Sequence, residues 1–453
     1  MKRIMIAGTN SGCGKTTVTC GILQALVDMK KSVGAFKCGP DYIDPIFHSK
    51  IIGANTYNLD NFFCDENMIK YLFKKNSLNV DISVIEGVMG FYDGVSGKAS
   101  SYDISNIINC AVVIVIDCEG MSSSVGAVIK GFLTYKVPNN IIGFIFNRLH
   151  ESLLDEVKNI CINLKTSFFG YLPMSKECVI ESRHLGLSTT EDIVSIKNKM
   201  NILSDMVQKN IYIDEMIRIS ESFEFPSYNL VSILKPKLKN KVKIAVANDN
   251  AFCFIYEDNL NLLREMGCEI EFFSPLKDED IPKNSDGLIL CGGYPELFAK
   301  ELFNNKKIRK SIYEKILEGV PFIAECGGFM YLHKLLEDIN GEEYEMVGIV
   351  DAKAFRTSQL QRFGYITLKA KSDNLLCKKD EEILAHEFHY WDSTKCGDGF
   401  DVVKAGDGKM YECAIINHNM YASFPHLYFY ANTRICYNFV SKCDLYRENR
   451  GWS

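Results

Sequence analysis

Two α/β domains, each built on a doubly wound and mostly parallel sheet, are what this sequence predicts. Three observations carry that expectation. Short apolar strands alternate with amphipathic helices in both halves of the chain, the pattern of parallel sheets covered by helices. A polar, basic stretch bearing two prolines over residues 226–241 interrupts the alternation and reads as a linker. Finally, 453 residues exceed what one ordinary core accommodates.

The first domain is assigned to residues 1–225. It opens on a strand at 4–7, followed by a helix from Thr16 with Val18, Ile22 and Leu26 at every fourth position. Further strands follow at 32–36, 82–85, 112–117 and 141–146, and the pattern fades after Leu185. The second domain is assigned to residues 242–437. It restarts with a strand at 242–247, a helix over 257–266 and strands at 270–273, 287–290 and 321–324. Residues 438–453 read as a polar tail, and no internal repeat or low-complexity tract is present.

Composition narrows the function classes. The formal net charge is −6, which gives no support to a nucleic-acid partner. The longest apolar runs, such as 111–116, are far too short to span a bilayer, and the start of the chain lacks the layout of a secretion signal. The seventeen cysteines include no Cys-x-x-Cys pair and are scattered along the chain. Buried thiols of a cytoplasmic protein are the expectation, with no nucleic-acid or membrane partner. A homo-oligomer is compatible with all of this.

The clearest chemical signal is a phosphate site. The strand at 4–7 leads into Gly8-Thr9-Asn10-Ser11-Gly12-Cys13-Gly14-Lys15-Thr16-Thr17, which opens a helix. Glycines let backbone N–H groups turn toward phosphate oxygens, and the helix N-terminus adds partial positive charge. Lys15 is placed to reach the outer phosphates of ATP, and Thr16 to hold Mg²⁺. The loop is one residue longer than the common pattern, with Gly8 six places before Gly14. Gly12, Cys13, Gly14, Lys15, Thr16 and Thr17 are the expected nucleotide-binding residues.

A magnesium ligand should stand at the C-terminal end of a neighbouring strand, where ligands of such sheets bind. Glu86 and Asp117 both qualify. Glu86 is preferred, because the glycine-rich loop 87–94 behind it allows close approach to a ligand. Lys37-Cys38-Gly39-Pro40-Asp41-Tyr42-Ile43-Asp44-Pro45 gathers a cation and two carboxylates at the same sheet edge. Lys37, Asp41, Tyr42 and, from the other loop, Asp93 are the expected substrate residues. Asn147 ends the strand at 141–146 and is placed to offer its amide to an adenine edge.

The second domain carries different chemistry. Its strand at 321–324 ends in Glu325-Cys326-Gly327-Gly328 and then an apolar helix, the layout that exposes a nucleophile on a sharp strand-to-helix turn. The helix N-terminus favours a thiolate at Cys326. About a hundred residues later, Ser423-Phe424-Pro425-His426 supplies an imidazole to act as base and then acid. The N–H groups of Gly293, from Cys291-Gly292-Gly293-Tyr294-Pro295-Glu296, and Gly327 are the expected oxyanion hole.

These residues resemble known families. The second domain is similar to class I glutamine amidotransferase domains in Cys291–Leu297, Glu325–Leu332 and Ala385-His386-Glu387-Phe388-His389-Tyr390. The first looks like the dethiobiotin-synthetase-like P-loop fold in Gly8–Thr17, Val84-Ile85-Glu86-Gly87 and Gly143–Asn147. Their fusion, with the Lys37–Pro45 and Glu86–Gly94 segments and Arg183-His184-Leu185-Gly186-Leu187, resembles the cobyrinate a,c-diamide synthase family of cobalamin biosynthesis. The resemblance implies ATP, L-glutamine and a tetrapyrrole (corrin) polycarboxylate as ligands. It also implies an acyl phosphate on a substrate carboxylate, displaced by ammonia that Cys326 releases from glutamine and that travels a shielded path. Related tetrapyrroles, hydrogenobyrinate and nickel-sirohydrochlorin, are the alternative substrates. A P-loop ATPase switch is the rival class, but it has no use for Cys326. One departure stands out: most class I glutaminases carry a glutamate two residues after the histidine, yet Leu427 and Tyr428 follow His426. Glu387 is one candidate to orient that imidazole.

Overall fold

A computed structural model of the protein describes residues 1–95, 97–175, 190–229, 231–239 and 241–451, with the backbone alone for 190–193. The Arg183–Leu187 motif lies outside the described residues. The chain divides into two compact units, Met1–Val231 and Ser232–Ser453.

The first unit is a seven-stranded sheet. Its strands are β1 (Arg3–Gly8), β2 (Val33–Cys38), β3 (Asn55–Leu59), β4 (Ile82–Glu86), β5 (Ala111–Asp117), β6 (Ile141–Asn147) and β7 (Ser167–Leu172). They lie in the order β3-β2-β4-β1-β5-β6-β7, every pair parallel. β1, β2 and β4 are buried throughout, as expected of parallel strands covered on both faces. β1 lies at the centre between β4 and β5, so the chain reverses its winding direction beside the phosphate loop. Ligands of doubly wound sheets bind at such a point. The register sets Ile6 opposite Glu86 and Gly8 opposite Val115.

Helix α1 (Lys15–Asp28) buries Val18, Ile22, Leu23 and Leu26 against Ile4 and Ile6. Gly21 lets the helix Thr190–Asn210 come close, because a Cβ there would meet Val207 at 2.7 Å. Arg3 is fully buried, and its guanidinium donates to the carbonyls of Ile108, Asn109 and Phe223 at 2.8–3.0 Å. It thereby ties residue 223 back to β1.

The second unit contains a six-stranded sheet. In spatial order its strands are Glu269–Phe273, Lys243–Ala247, Gly287–Leu290, Phe322–Glu325, Met420–Ser423 and Ile415–Asn417, parallel except at the last pair. Beside it stands a five-stranded antiparallel sheet that includes Arg362–Ala370, Glu382–His389 and His426–Leu427. The supposed polar tail is corrected by the structure. Thr433–Asn449 is a helix that buries Ile435, Cys436, Phe439, Val440, Cys443 and Tyr446. Cys443 and Phe439 reach the strand at Gly287, where a Cβ would stand 2.5 Å from the Cys443 sulfur. Among the described residues the cysteines are free and all but Cys396 are buried, and no helix is long and apolar enough to cross a membrane.

Candidate active site

The phosphate loop takes its shape from two glycines. Gly12 and Gly14 have φ of 84° and 90°, a left-handed backbone that favours glycine. The turn is braced from outside: Phe91 N–H donates to Gly8 O at 2.8 Å, and Thr9 N–H to Val115 O at 3.1 Å. Lys15 is 8% exposed, and its ammonium donates to Met89 O at 3.3 Å, so loop 87–94 lies across the phosphate site. That loop is held by Asp93, which accepts the Gly90 N–H at 2.9 Å. Gly90 itself has no room for a side chain, since a Cβ would lie 2.8 Å from Thr9 O. In this structure Asp93 thus shapes the loop.

Asn147 also supports the phosphate loop. Its amide nitrogen donates to Cys13 O at 3.0 Å and packs over Gly14, so the residue props up the phosphate loop. Its second N–H and its amide oxygen are left for the adenine edge expected of it.

Glu86 gathers three side chains. Thr16 Oγ1 donates to its Oε1 at 2.7 Å, and Lys37 Nζ lies 2.9 Å from the same oxygen. His48 Nε2 stands 3.3 Å from Oε2 without hydrogen-bond alignment, and the Lys37 ammonium also pairs with Asp44 and, at 3.7 Å, with Asp41. Burial alone would raise the Glu86 carboxyl. Lys37, His48 and Lys15 overturn that and hold it well below the usual carboxylate range. Burial, then the charge of Glu86, pushes the Asp44 carboxyl up, against the pull of Lys37. Burial would lower Lys37, yet Asp44, Glu86 and Asp41 together hold it above its ordinary value. Asp41 also accepts the Ile43 N–H at 2.8 Å, and Tyr42 is buried beside it. Asp117, the other strand-end acid, is instead paired with Arg148.

These residues fit a small, hard cation. The Thr16 hydroxyl and the Glu86 carboxylate meet, both are oxygen donors, and Glu86 Oε2 is buried without a hydrogen bond. Among the described residues no three acidic, histidine or cysteine side chains form a metal cage. A cation there would complete its shell from phosphates and water.

In the second unit Cys326 joins the strand Phe322–Glu325 to the helix Gly327–Tyr331 with φ 47° and ψ −106°. That strained turn sets the buried Cys326 side chain at the tip of the elbow, and the neighbouring glycines make it fit. A Cβ on Gly328 would collide with Leu290 O, and one on Gly327 would stand 3.0 Å from Gly293 N. The Gly293 and Gly327 backbones therefore lie side by side next to Cys326. Gly293 has φ 156°, and a Cβ there would strike Ala251 O.

His426 is 2% exposed on a two-residue strand paired with Ala385 and His386. Its ring leaves Gly292 no room for a side chain, because a Cβ there would sit 2.5 Å from Cε1. Burial, then His389, lowers the imidazole to about 3, against the pull of Glu387. It is a neutral base. Burial and then Glu296 push the Cys326 thiol up, and the Gly327 N–H recovers only part of that shift.

Two residues were missed or left without a role by sequence reasoning. His48 carries no motif; its signal is its spacing, one helical turn beyond Asp44. Glu325 was visible only as the neighbour of Cys326, yet its Oε2 lies 3.6 Å from His426 Nδ1. Glu387, the candidate to orient His426, is instead bound by Tyr411 and lies 3.7 Å from Arg362 and 3.9 Å from His389.

Comparison with known proteins agrees with this division. Residues 4–186 match the CobQ/CobB/MinD/ParA nucleotide binding domain family, and residues 243–434 the CobB/CobQ-like glutamine amidotransferase domain family. The chain is 38% identical to a cobyrinate a,c-diamide synthase of Caldanaerobacter subterraneus subsp. tengcongensis, over 98% of each chain. It is 38% identical to that of Listeria innocua, over 96% of this chain and 98% of the relative. For the Thermoplasma volcanium enzyme the identity is 39%, over 99% and 98% respectively. With similarity running through both units at nearly full length, the chain belongs to the cobyrinate a,c-diamide synthase family of glutamine-dependent amidoligases.

Proposed function

We propose that the protein amidates the a and c acetate carboxylates of cobyrinate, using ATP and the ammonia of L-glutamine. The observation that supports this most is the presence in one chain of two different machines. One is a phosphate loop with Lys15, Thr16 and Glu86 assembled at its mouth; the other is a strained Cys326 turn and a buried, neutral His426, set against Gly293 and Gly292 respectively.

In the first unit a substrate carboxylate attacks the γ-phosphorus of ATP, giving an acyl phosphate and ADP. Lys15 and the loop N–H groups stabilise charge on the phosphate oxygens. Thr16 and Glu86 would hold Mg²⁺, which supplies further neutralisation of the phosphates when bound. Lys37 sits among Asp41, Asp44 and Glu86 and is available to an incoming carboxylate once those partners turn to other ligands. In the second unit Cys326 gives its proton to His426, and its sulfur bonds to the glutamine δ-carbon. Oxyanion charge falls on the Gly293 and Gly327 N–H groups. The carbon–nitrogen bond breaks as the imidazolium protonates the departing ammonia, and water then frees glutamate from the thioester. Ammonia attacks the acyl phosphate and expels phosphate, leaving the amide.

The test supplies ATP, magnesium and glutamine with a panel of tetrapyrrole acids (cobyrinate, hydrogenobyrinate and nickel-sirohydrochlorin) and reads products by mass. Two successive conversions of carboxyl to amide on cobyrinate, faster than on the others, are expected. Preference for another acid would overturn the substrate assignment. Cys326→Ala should abolish the glutamine-dependent reaction and keep the one driven by ammonium. Equal loss with both nitrogen sources would refute the division of labour.

A further inference from the structure

We infer that Glu325 is the acid that positions His426 for glutamine hydrolysis, in place of the glutamate that other class I glutaminases carry two residues after the histidine. The inference rests on the glutaminase reading of the second unit and adds a residue to it.

The geometry begins with the strand Phe322–Glu325. Its last residue is Glu325, and the next is the nucleophile. Ala324 and Glu325 pair in register with Ala422 and Ser423, and Cys326 N–H donates to Ser423 O at 2.8 Å. The same strand end is thereby clamped to the segment that delivers His426 three residues later. The Glu325 carboxylate meets that segment at one hydrogen bond and one close approach. Its Oε1 accepts the Leu427 N–H at 3.3 Å, and its Oε2 lies 3.6 Å from His426 Nδ1. Both side chains are nearly fully buried, at 8% and 2% exposure. A separation of 3.6 Å exceeds a formed hydrogen bond, but such contacts lengthen in unliganded sites and tighten around substrate.

The alternatives are occupied elsewhere. Tyr428 stands two residues after His426, and its hydroxyl donates to Asp258 at 2.9 Å, so that place serves packing. Glu387 is held by Tyr411, with Arg362 and His389 beyond it, and reaches His426 only as a neighbouring charge. The titratable groups near His426 are Glu325, His389, Glu387 and, across the strand pair, His386; the charge of Glu325 is in turn felt by Cys291, Cys326 and Tyr421.

The chemistry follows. With Glu325 at Nδ1, the nitrogen left to take the Cys326 proton is Nε2. An ionised Glu325 fixes the tautomer that bears its proton on Nδ1, and it balances the imidazolium that forms as sulfur bonds to the δ-carbon. Burial pushes the Glu325 carboxyl up to about 8, with the Leu427 N–H pulling the other way. The working arrangement therefore fills as pH rises through that value, and turnover should carry a rising alkaline limb that belongs to Glu325.

The experiment measures glutamate release and ammonium-driven synthesis, from about pH 6 to pH 9.5, in the full chain. Wild-type glutamate release tests the underlying reading; its absence would sink that reading. Given release, Glu325→Gln should lower kcat by about 10- to 100-fold or more, the scale on which loss of a group orienting a metal-bound histidine is felt. KM for glutamine should stay within about threefold, because the contact is made to the base rather than the substrate. The alkaline limb should vanish, while ammonium-driven synthesis continues. A Glu325→Gln enzyme with near-wild-type kcat and an intact limb overturns the inference, as does transfer of both losses to Glu387→Gln. Should Glu325→Gln melt early, Glu325→Asp decides. A limb shifted from its wild-type position supports the assignment, and an unshifted one refutes it.

Discussion

Gly292→Ala isolates the glutaminase by steric means. Gly292 forms a two-residue strand with Gly293, and its backbone is not in the left-handed region, so alanine adds no backbone strain. The new Cβ would lie 2.5 Å from His426 Cε1, 3.3 Å from its Nδ1 and 3.3 Å from Phe254 Cβ. Carbon atoms rest about 3.5–4.0 Å apart, so the ring has to retreat by about 1 Å. His426 is held by strand pairing with His386 and by Glu325, and Phe254 blocks the opposite escape for the methyl group. A displacement of about 1 Å in a positioned group costs about 100-fold in rate. That loss corresponds to about 2.7 kcal/mol of transition-state stabilisation. The assay compares glutamine-driven and ammonium-driven diamide formation under saturating ATP and tetrapyrrole. Glutamine-driven turnover should fall by about 100-fold, with the ammonium-driven rate within twofold of wild type. A glutamine-driven kcat within threefold of wild type would show that His426 has room to spare, and the steric reasoning would be wrong.

Lys15→Ala should remove synthesis with either nitrogen source while leaving glutamate release measurable, since acyl-phosphate formation needs the negative charge on the phosphates to be stabilised. Near-normal ammonium-driven synthesis in that variant would sink the phosphate-loop assignment. Glu86→Gln should raise the magnesium requirement sharply, whereas Asp117→Asn, which breaks the pairing with Arg148, should leave the magnesium curve in place. The reverse pattern would transfer the metal role to Asp117. Phe439→Ala should destabilise the second unit by about 3–5 kcal/mol in denaturant titration, as expected when a fully buried aromatic ring is removed. A loss below about 1 kcal/mol would return the C-terminal segment to the status of a dispensable tail.

Legibility in the sequence followed the demands made on the backbone. Parallel strands such as Ala111–Asp117 read as unbroken apolar runs because both faces are covered. The phosphate loop and the Cys326 turn announce themselves because their conformations admit few residues other than glycine at Gly12, Gly14 and Gly328. The antiparallel sheet did not. Arg362–Ala370 alternates exposed and buried residues only irregularly, and its pairing with Glu382–His389 depends on a partner outside any local window. The C-terminal helix was legible and misread. Ile435, Phe439, Val440, Cys443 and Tyr446 recur at helical spacing, but the charged residues between them dominated the impression of polarity.

The site residues divide along the same physical line. Lys15, Thr16 and Cys326 are bound to local geometry, so a short window identifies them. His48 and Glu325 acquire their roles only where separate segments meet: His48 against the end of the fourth strand, and Glu325 against a histidine a hundred residues later. For Glu325 the meeting is a consequence of fold topology. The strand Met420–Ser423 lies directly beside Phe322–Glu325, so whatever follows Ser423 emerges next to the residue before the nucleophile. An acid at that strand end is therefore within reach of the imidazole without any acid after the histidine. This removes the difficulty posed by Leu427 and Tyr428. The sequence lacks the usual third residue because the sheet register makes a carboxylate available from the other side of the elbow.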